Sequence, residues 1–159
     1  MDVFWEELTS GLPDKQQLAH AVIRLVAAAL LGAVIGFERE RAGKAAGLRT
    51  HTLVALGTST FIVACSSSGM SSDGLSRVIQ GIVTGIGFLG AGTILKLSHE
   101  RDIKGLTTSA GIWMTAAIGV AAGLGTLGVA ILATIVTVII LYALRKVEIK
   151  ESGTSINPD

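Results

Sequence analysis

The 159-residue chain is 50% apolar, 4% aromatic and 16% charged, with a mean hydropathy of +0.63 and a formal net charge of +1. Such values exclude a soluble domain with a polar surface and indicate a polytopic membrane protein. Basic residues occur in short clusters between apolar runs, not as one basic face, which argues against a nucleic-acid partner.

A single domain over 1–159 is expected. Residues 1–14 mix Phe4, Trp5 and Leu8 with Asp2, Glu6 and Glu7, a pattern suited to a segment lying at the membrane surface. The acidic start, with no small-residue cleavage site after an early apolar core, points away from a cleavable signal peptide. Pro13 and Asp14 open the first long helix. From Gln16 to Phe37 there are 22 residues with one charge, Arg24, which must sit within the span or snorkel to its near edge. Gly32 and Gly36 form a GxxxG pair.

A polar connection from Glu38 to Arg49 carries four basic and two acidic residues. The second span, about 50–68, fades into a serine-rich loop ending at Asp73 and Gly74. Cys65 lies in this apolar stretch and is the only cysteine, so neither an internal disulfide nor a cysteine metal site is available.

Val78 to Leu95 is an uncharged run of 18 residues, which as a helix is about 27 Å long and close to the bilayer core. We read the stretch 77–96 as the central transmembrane helix, with Gly81 and Gly85 as a second GxxxG pair. Gly85-x-Gly87-x-x-Gly90 matches the dinucleotide fingerprint on paper. That fingerprint needs a strand before it, and none is legible; Asp102 falls near the ribose-binding distance but beyond a further segment.

Lys96 to Lys104 is the second charged connection. Gly105 to Leu144 then runs for 40 residues without a charge, about twice one span, so it must fold back on itself. The glycines of Gly119 to Gly128 place the reversal there, giving spans near 105–122 and 125–144, with a short polar tail at 145–159. Gly119 and Gly123 are a third small-residue pair. Connections 38–49, 96–104 and 145–159 hold ten of the 13 Lys and Arg residues, which predicts an outside N-terminus, a cytoplasmic C-terminus and five spans in an all-α fold.

Three blocks, LLGAVIGFERERAGKAAGLRTHTLVALG (Leu30–Gly57), SRVIQGIVTGIGFLGAGTIL (Ser76–Leu95) and KGLTTSAGIWMTAAIGVAAGLG (Lys104–Gly125), together resemble the MgtC/SapB family of bacterial membrane proteins. Coverage is nearly the whole chain. The resemblance implies a five-helix, multi-pass inner-membrane domain linked to growth in low magnesium, and in some members to survival in host cells or restraint of the ATP synthase. With its last residue at Asp159, the sequence is expected to be of the short, SapB-like type that lacks the soluble cytoplasmic domain of longer members, so a regulatory role that depends on that domain is not expected.

Two polar clusters are expected. One is cytoplasmic, Glu38, Arg41, Arg49 and His51, reached by Thr107 and Thr108; the other is outer, Asp73, Arg77 and Gln80. Within the first, Glu38 and Arg41 are three apart and can pair, while Arg39 is available to Glu40 of another copy or to a lipid phosphate. Glu38 and Glu40 fall on nearly opposite helix faces. His20 and His99 have no partner at metal-ligand spacing, and Trp113 reads as packing. No cofactor and no catalytic constellation is expected. Mg²⁺ needs six oxygens, and Glu38 is the nearest to a candidate ligand. The expected function is non-catalytic, in magnesium homeostasis, through contacts with the bilayer, with a second copy as a dimer, or with another membrane protein; the alternative is an oligomeric Mg²⁺ or small-solute transporter.

Overall fold

The computed structural model describes Val3, residues 14–96 and residues 103–154. The expected surface segment around Phe4, Trp5 and Leu8, and His99 with most of the second charged connection, lie outside the described residues.

Helix α1 (Lys15–Arg41) begins where Asp14 Oδ1 accepts the Gln16 N–H at 2.8 Å, satisfying one of the first-turn donors. It ends at Gly43, whose φ of 67° only glycine adopts readily. Helix α2 (Leu48–Ser67) has glycine before its first turn and takes its cap from a distance: Glu40 Oε2 accepts the Leu48 N–H at 2.9 Å. Helix α3 (Ser72–Gly92) is capped by Ser71 Oγ, which accepts from Gly74 N–H at 3.2 Å. A two-residue antiparallel ladder, β1 (Leu95–Lys96) with β2 (Ile103–Lys104), follows. Helices α4 (Leu106–Gly123) and α5 (Leu127–Thr154) are joined by a tight turn with Gly125 at φ 85°.

The described architecture is five helices with this one short ladder. Four of them, α1, α3, α4 and α5 up to Arg145, are long and apolar enough to cross a membrane. The expected second span is the exception. Helix α2 has the length, at 20 residues, but His51, Thr58 and Ser59 dilute its apolar character. Those three side chains are buried, so the neighbouring helices shelter what lipid would not accept.

Helix α4 touches all four others and is the most enclosed. This corrects the reading of residues 77–96 as the central helix: α3 packs mainly on α4, with a smaller contact to α2, and is the most exposed of the apolar helices. The reason lies in residue size at the contact. Buried core positions are largely small, including Ala28, Ala55, Ala116, Ala122 and Ala130, with Ile35 and Ile118 interleaved. A Cβ added at Gly32 would lie 2.6 Å from the His51 carbonyl oxygen, and one at Gly36 would lie 2.7 Å from Leu48 Cα. One at Gly119 would collide with Thr58 Oγ1 and the Ala55 carbonyl, and one at Gly123 would lie 2.8 Å from Ile62 Cβ. These glycines bring α1 and α4 onto α2 by close backbone approach. By contrast, a Cβ at Gly81 or Gly85 would meet no atom of the described residues within 4 Å.

Large apolar side chains face outward: Val22, Val26, Leu30 and Val34 on α1, Phe88 on α3, Ile131, Ile135 and Ile139 on α5. On a water-soluble protein such a surface would drive aggregation; here it is the lipid contact.

Candidate functional site

Polar groups gather where the ends of α1 and α5 meet the starts of α2 and α4. Arg39 is 2% exposed, and its Nε–H donates to Glu38 Oε2 at 2.6 Å, a charge-assisted bond. The other carboxylate oxygen, Glu38 Oε1, is buried without a hydrogen-bond partner. His51 is fully buried, with Nδ1 2.7 Å from Thr115 Oγ1. Thr115 Oγ1 also lies 2.8 Å from Gly111 O, so this hydroxyl stands between the imidazole and a carbonyl of its own helix. The other ring nitrogen, Nε2, is buried without a close hydrogen-bond partner among the described residues, and the Ala46 backbone also acts on the ring. Glu38 and Arg39 are the charged groups that act on this imidazole. Glu38 Oε1 and His51 Nε2 are thus buried polar atoms on adjoining helices without a close partner among the described residues.

The expected cytoplasmic cluster divides. Glu38 and His51 turn inward, whereas Arg49 is exposed and Arg41 is exposed with its guanidinium 4.3 Å from the centroid of the Phe37 ring. Thr108 is buried and Thr107 is exposed, and both line an open cleft of about 570 Å³ beside Lys44 and Lys104. The histidine's hydroxyl partner is Thr115, two turns further along α4. Asp73, Arg77 and Gln80 are all exposed on the first turns of α3, and no ion pair links Asp73 to Arg77 among the described residues. Trp113 is half exposed beside Ile79 and Ile82. His20 is exposed in a shallow polar pocket with Gln17, Arg24 and Ser66. Among the described residues, no three His, Cys, Asp or Glu side chains converge as a metal site would require.

Sequence reasoning missed three positions. Arg39 is buried within its own chain instead of meeting another copy; Ala28, Gly32, Ile35 and Arg39 share one helical phase, and that phase was the available signal. Glu40 caps α2, and Arg24 Nη1 donates to Gly123 O at 3.1 Å, closing the end of α4. These two contacts join residues far apart in sequence and carry no local signal.

Enclosed polar side chains within a bundle of lipid-facing helices define a polytopic membrane protein. Residues 25–150 match the MgtC family model, and the chain belongs to the MgtC family. It is a multi-pass protein of the bacterial inner membrane. Protein SrpB of Synechococcus elongatus is 43% identical over 136 residues, covering 79% of this chain and 75% of that protein. Protein MgtC of Brucella abortus is 47% identical over 129 residues, covering 80% of this chain and 52% of that one. YhiD of Escherichia coli K12 is 42% identical over 130 residues, covering 77% and 60%. The chain thus spans little more than half of the MgtC and YhiD proteins it matches. No solved structure matches it.

Proposed function

We propose that this protein is a non-catalytic membrane interaction module of magnesium homeostasis, crossing the inner membrane five times and associating through the face of α3. One observation carries the reading. The Gly32/Gly36 and Gly119/Gly123 pairs are filled by α2, while Gly81 and Gly85 stand open on a groove of about 510 Å³ with Phe61, Val78 and Leu89. A small-residue face with no neighbour among the described residues suits a helix from outside. The favoured occupant is a second copy, giving a dimer; another membrane protein, including the ATP synthase implied by the family resemblance, is the alternative partner. Sedimentation of the detergent-solubilised chain should give a concentration-dependent dimer that Gly85→Leu converts to monomer with unchanged helicity. Native protein that is monomeric at every concentration would sink self-association, and a cross-linking pull-down from cells grown in low magnesium then tests for a different partner.

A second reading is transport of Mg²⁺ by an oligomer. The name printed for the E. coli relative, "Putative magnesium transporter YhiD", and the unpartnered Glu38 Oε1 favour it. Mg²⁺ dehydrates reluctantly and is held through water by few carboxylates, so one buried carboxylate oxygen would act on a hydrated ion. Liposomes bearing the purified protein should then take up Mg²⁺, and Glu38→Gln should abolish uptake at equal protein abundance. Absence of flux in the native protein rejects this reading.

A further inference from the structure

A pocket of about 100 Å³ lies between the C-terminal half of α5, the end of α1, the connection after α1 and the first turn of α4. Its polar wall is Arg39, Lys44, Arg145 and Thr107, and Leu141 and Leu144 belong to its apolar wall. None of its lining residues is a carboxylate. Glu38 answers the Nε–H of Arg39, but neither Lys44 nor Arg145 has an ion-pair partner among the described residues. Three cations against one carboxylate leave a surplus of two positive charges.

The Nε–H of Arg145 is buried and has no acceptor, although the side chain also lies 5.9 Å from the Tyr142 ring. A charged donor enclosed without an acceptor is costly and calls for an anion. Thr107 sits in the first turn of α4, where free backbone N–H groups add to the positive potential. Separate cations on α1, on the connection and on α5 suit an anion with several oxygens, and guanidinium groups bind phosphate in bidentate fashion.

We propose that this pocket binds a phosphate group, supplied either by the headgroup of an anionic lipid or by free phosphate. Basic pockets between membrane helices at the cytoplasmic side take lipid phosphates, and the exposed Ile140 and Leu144 beside this pocket offer apolar surface to an acyl chain. The pocket is separate from the groove between α2 and α3, so this inference and the dimer can fail independently.

The test is native mass spectrometry of the full chain with phosphatidylglycerol and phosphatidylcholine of identical acyl chains, together with thermal shifts in inorganic phosphate against chloride at equal ionic strength. Preferential retention of phosphatidylglycerol identifies a lipid phosphate; a shift specific to inorganic phosphate without lipid preference identifies the free anion. In either case Arg145→Gln and Lys44→Gln should each weaken binding by about fivefold, in line with the usual worth of one cation near a lipid surface. Arg145→Lys should restore part of the loss, and Arg77→Gln, at the other end of the bundle, should change nothing. If Arg145→Gln does not fold, Lys44→Gln decides, because Lys44 is exposed and lies outside the helices. Neither lipid preference nor a phosphate-specific shift in the native protein overturns the proposal, and so does an equal loss in Arg77→Gln.

Discussion

At the scale of single residues, a glycine's role depends on what stands opposite it. Gly119 faces the Ala55 carbonyl and Thr58 Oγ1 with no room for a methyl group, whereas Gly81 faces open space among the described residues. Gly119→Val forces α2 and α4 apart, and overpacking of this kind typically costs about 1–3 kcal/mol. Gly81→Ala adds a methyl group where nothing is displaced. Thermal unfolding in detergent should therefore show a large drop in midpoint for Gly119→Val and almost none for Gly81→Ala; equal behaviour would mean that α2 and α4 do not touch along this face. Arg24 shows the same dependence on context. In lipid a charge needs a partner, and it finds one in the Gly123 carbonyl at the negative end of the α4 dipole. The turn beside it is glycine because φ at Gly125 is positive, and a Cβ there would displace the Arg24 guanidinium, 2.7 Å away.

At the scale of elements, α2 and α3 exchange the roles that their hydropathy suggests. The more polar helix, α2, lies between α1 and α4, and the glycine-rich α3 lies at the edge. His51 has the Thr115 hydroxyl of α4 as a partner and Thr58 donates to the Val54 and Ala55 carbonyls of its own helix, so these two polar groups are buried at little cost, and moderate polarity marks an interior helix in a membrane bundle. Helix α2 is 20 residues long, enough for about 30 Å of rise. Single cysteines replacing Lys44 and Met70, both exposed at its two ends, should react with an impermeant thiol reagent from opposite sides of the membrane, in a Cys65→Ala background. Labelling of both from one side would show that α2 does not cross.

At the scale of the whole molecule, the distribution of Lys and Arg predicts orientation, because translocation of basic segments is disfavoured. Reporter fusions after Lys44 and Lys150 should report the cytoplasm, and one after Ser72 the outside. A reporter after Ser72 that is active in the cytoplasm would reverse the orientation and place the phosphate pocket on the outer side. The same end of the bundle holds Arg39, Lys44 and Arg145, so one charge pattern would both orient the chain and line a site.

The sequence by itself determined the membrane class, the family and the existence of five helices. These rest on long uncharged runs and on three ordered motif blocks, all of which are properties of consecutive residues. It also held, in the phase Ala28, Gly32, Ile35 and Arg39, the information that one arginine faces inward. Only the tertiary structure decided which glycine pairs are occupied and which stay open, since the three GxxxG pairs look alike locally and differ in what packs on them. It also separated the polar residues: Arg41 and Arg49 face outward, Glu38 and His51 face inward, and Arg39, Lys44 and Arg145 line one pocket from three distant segments. The physical reason is that a contact between helices depends on the crossing of two surfaces, and neither surface alone encodes its partner.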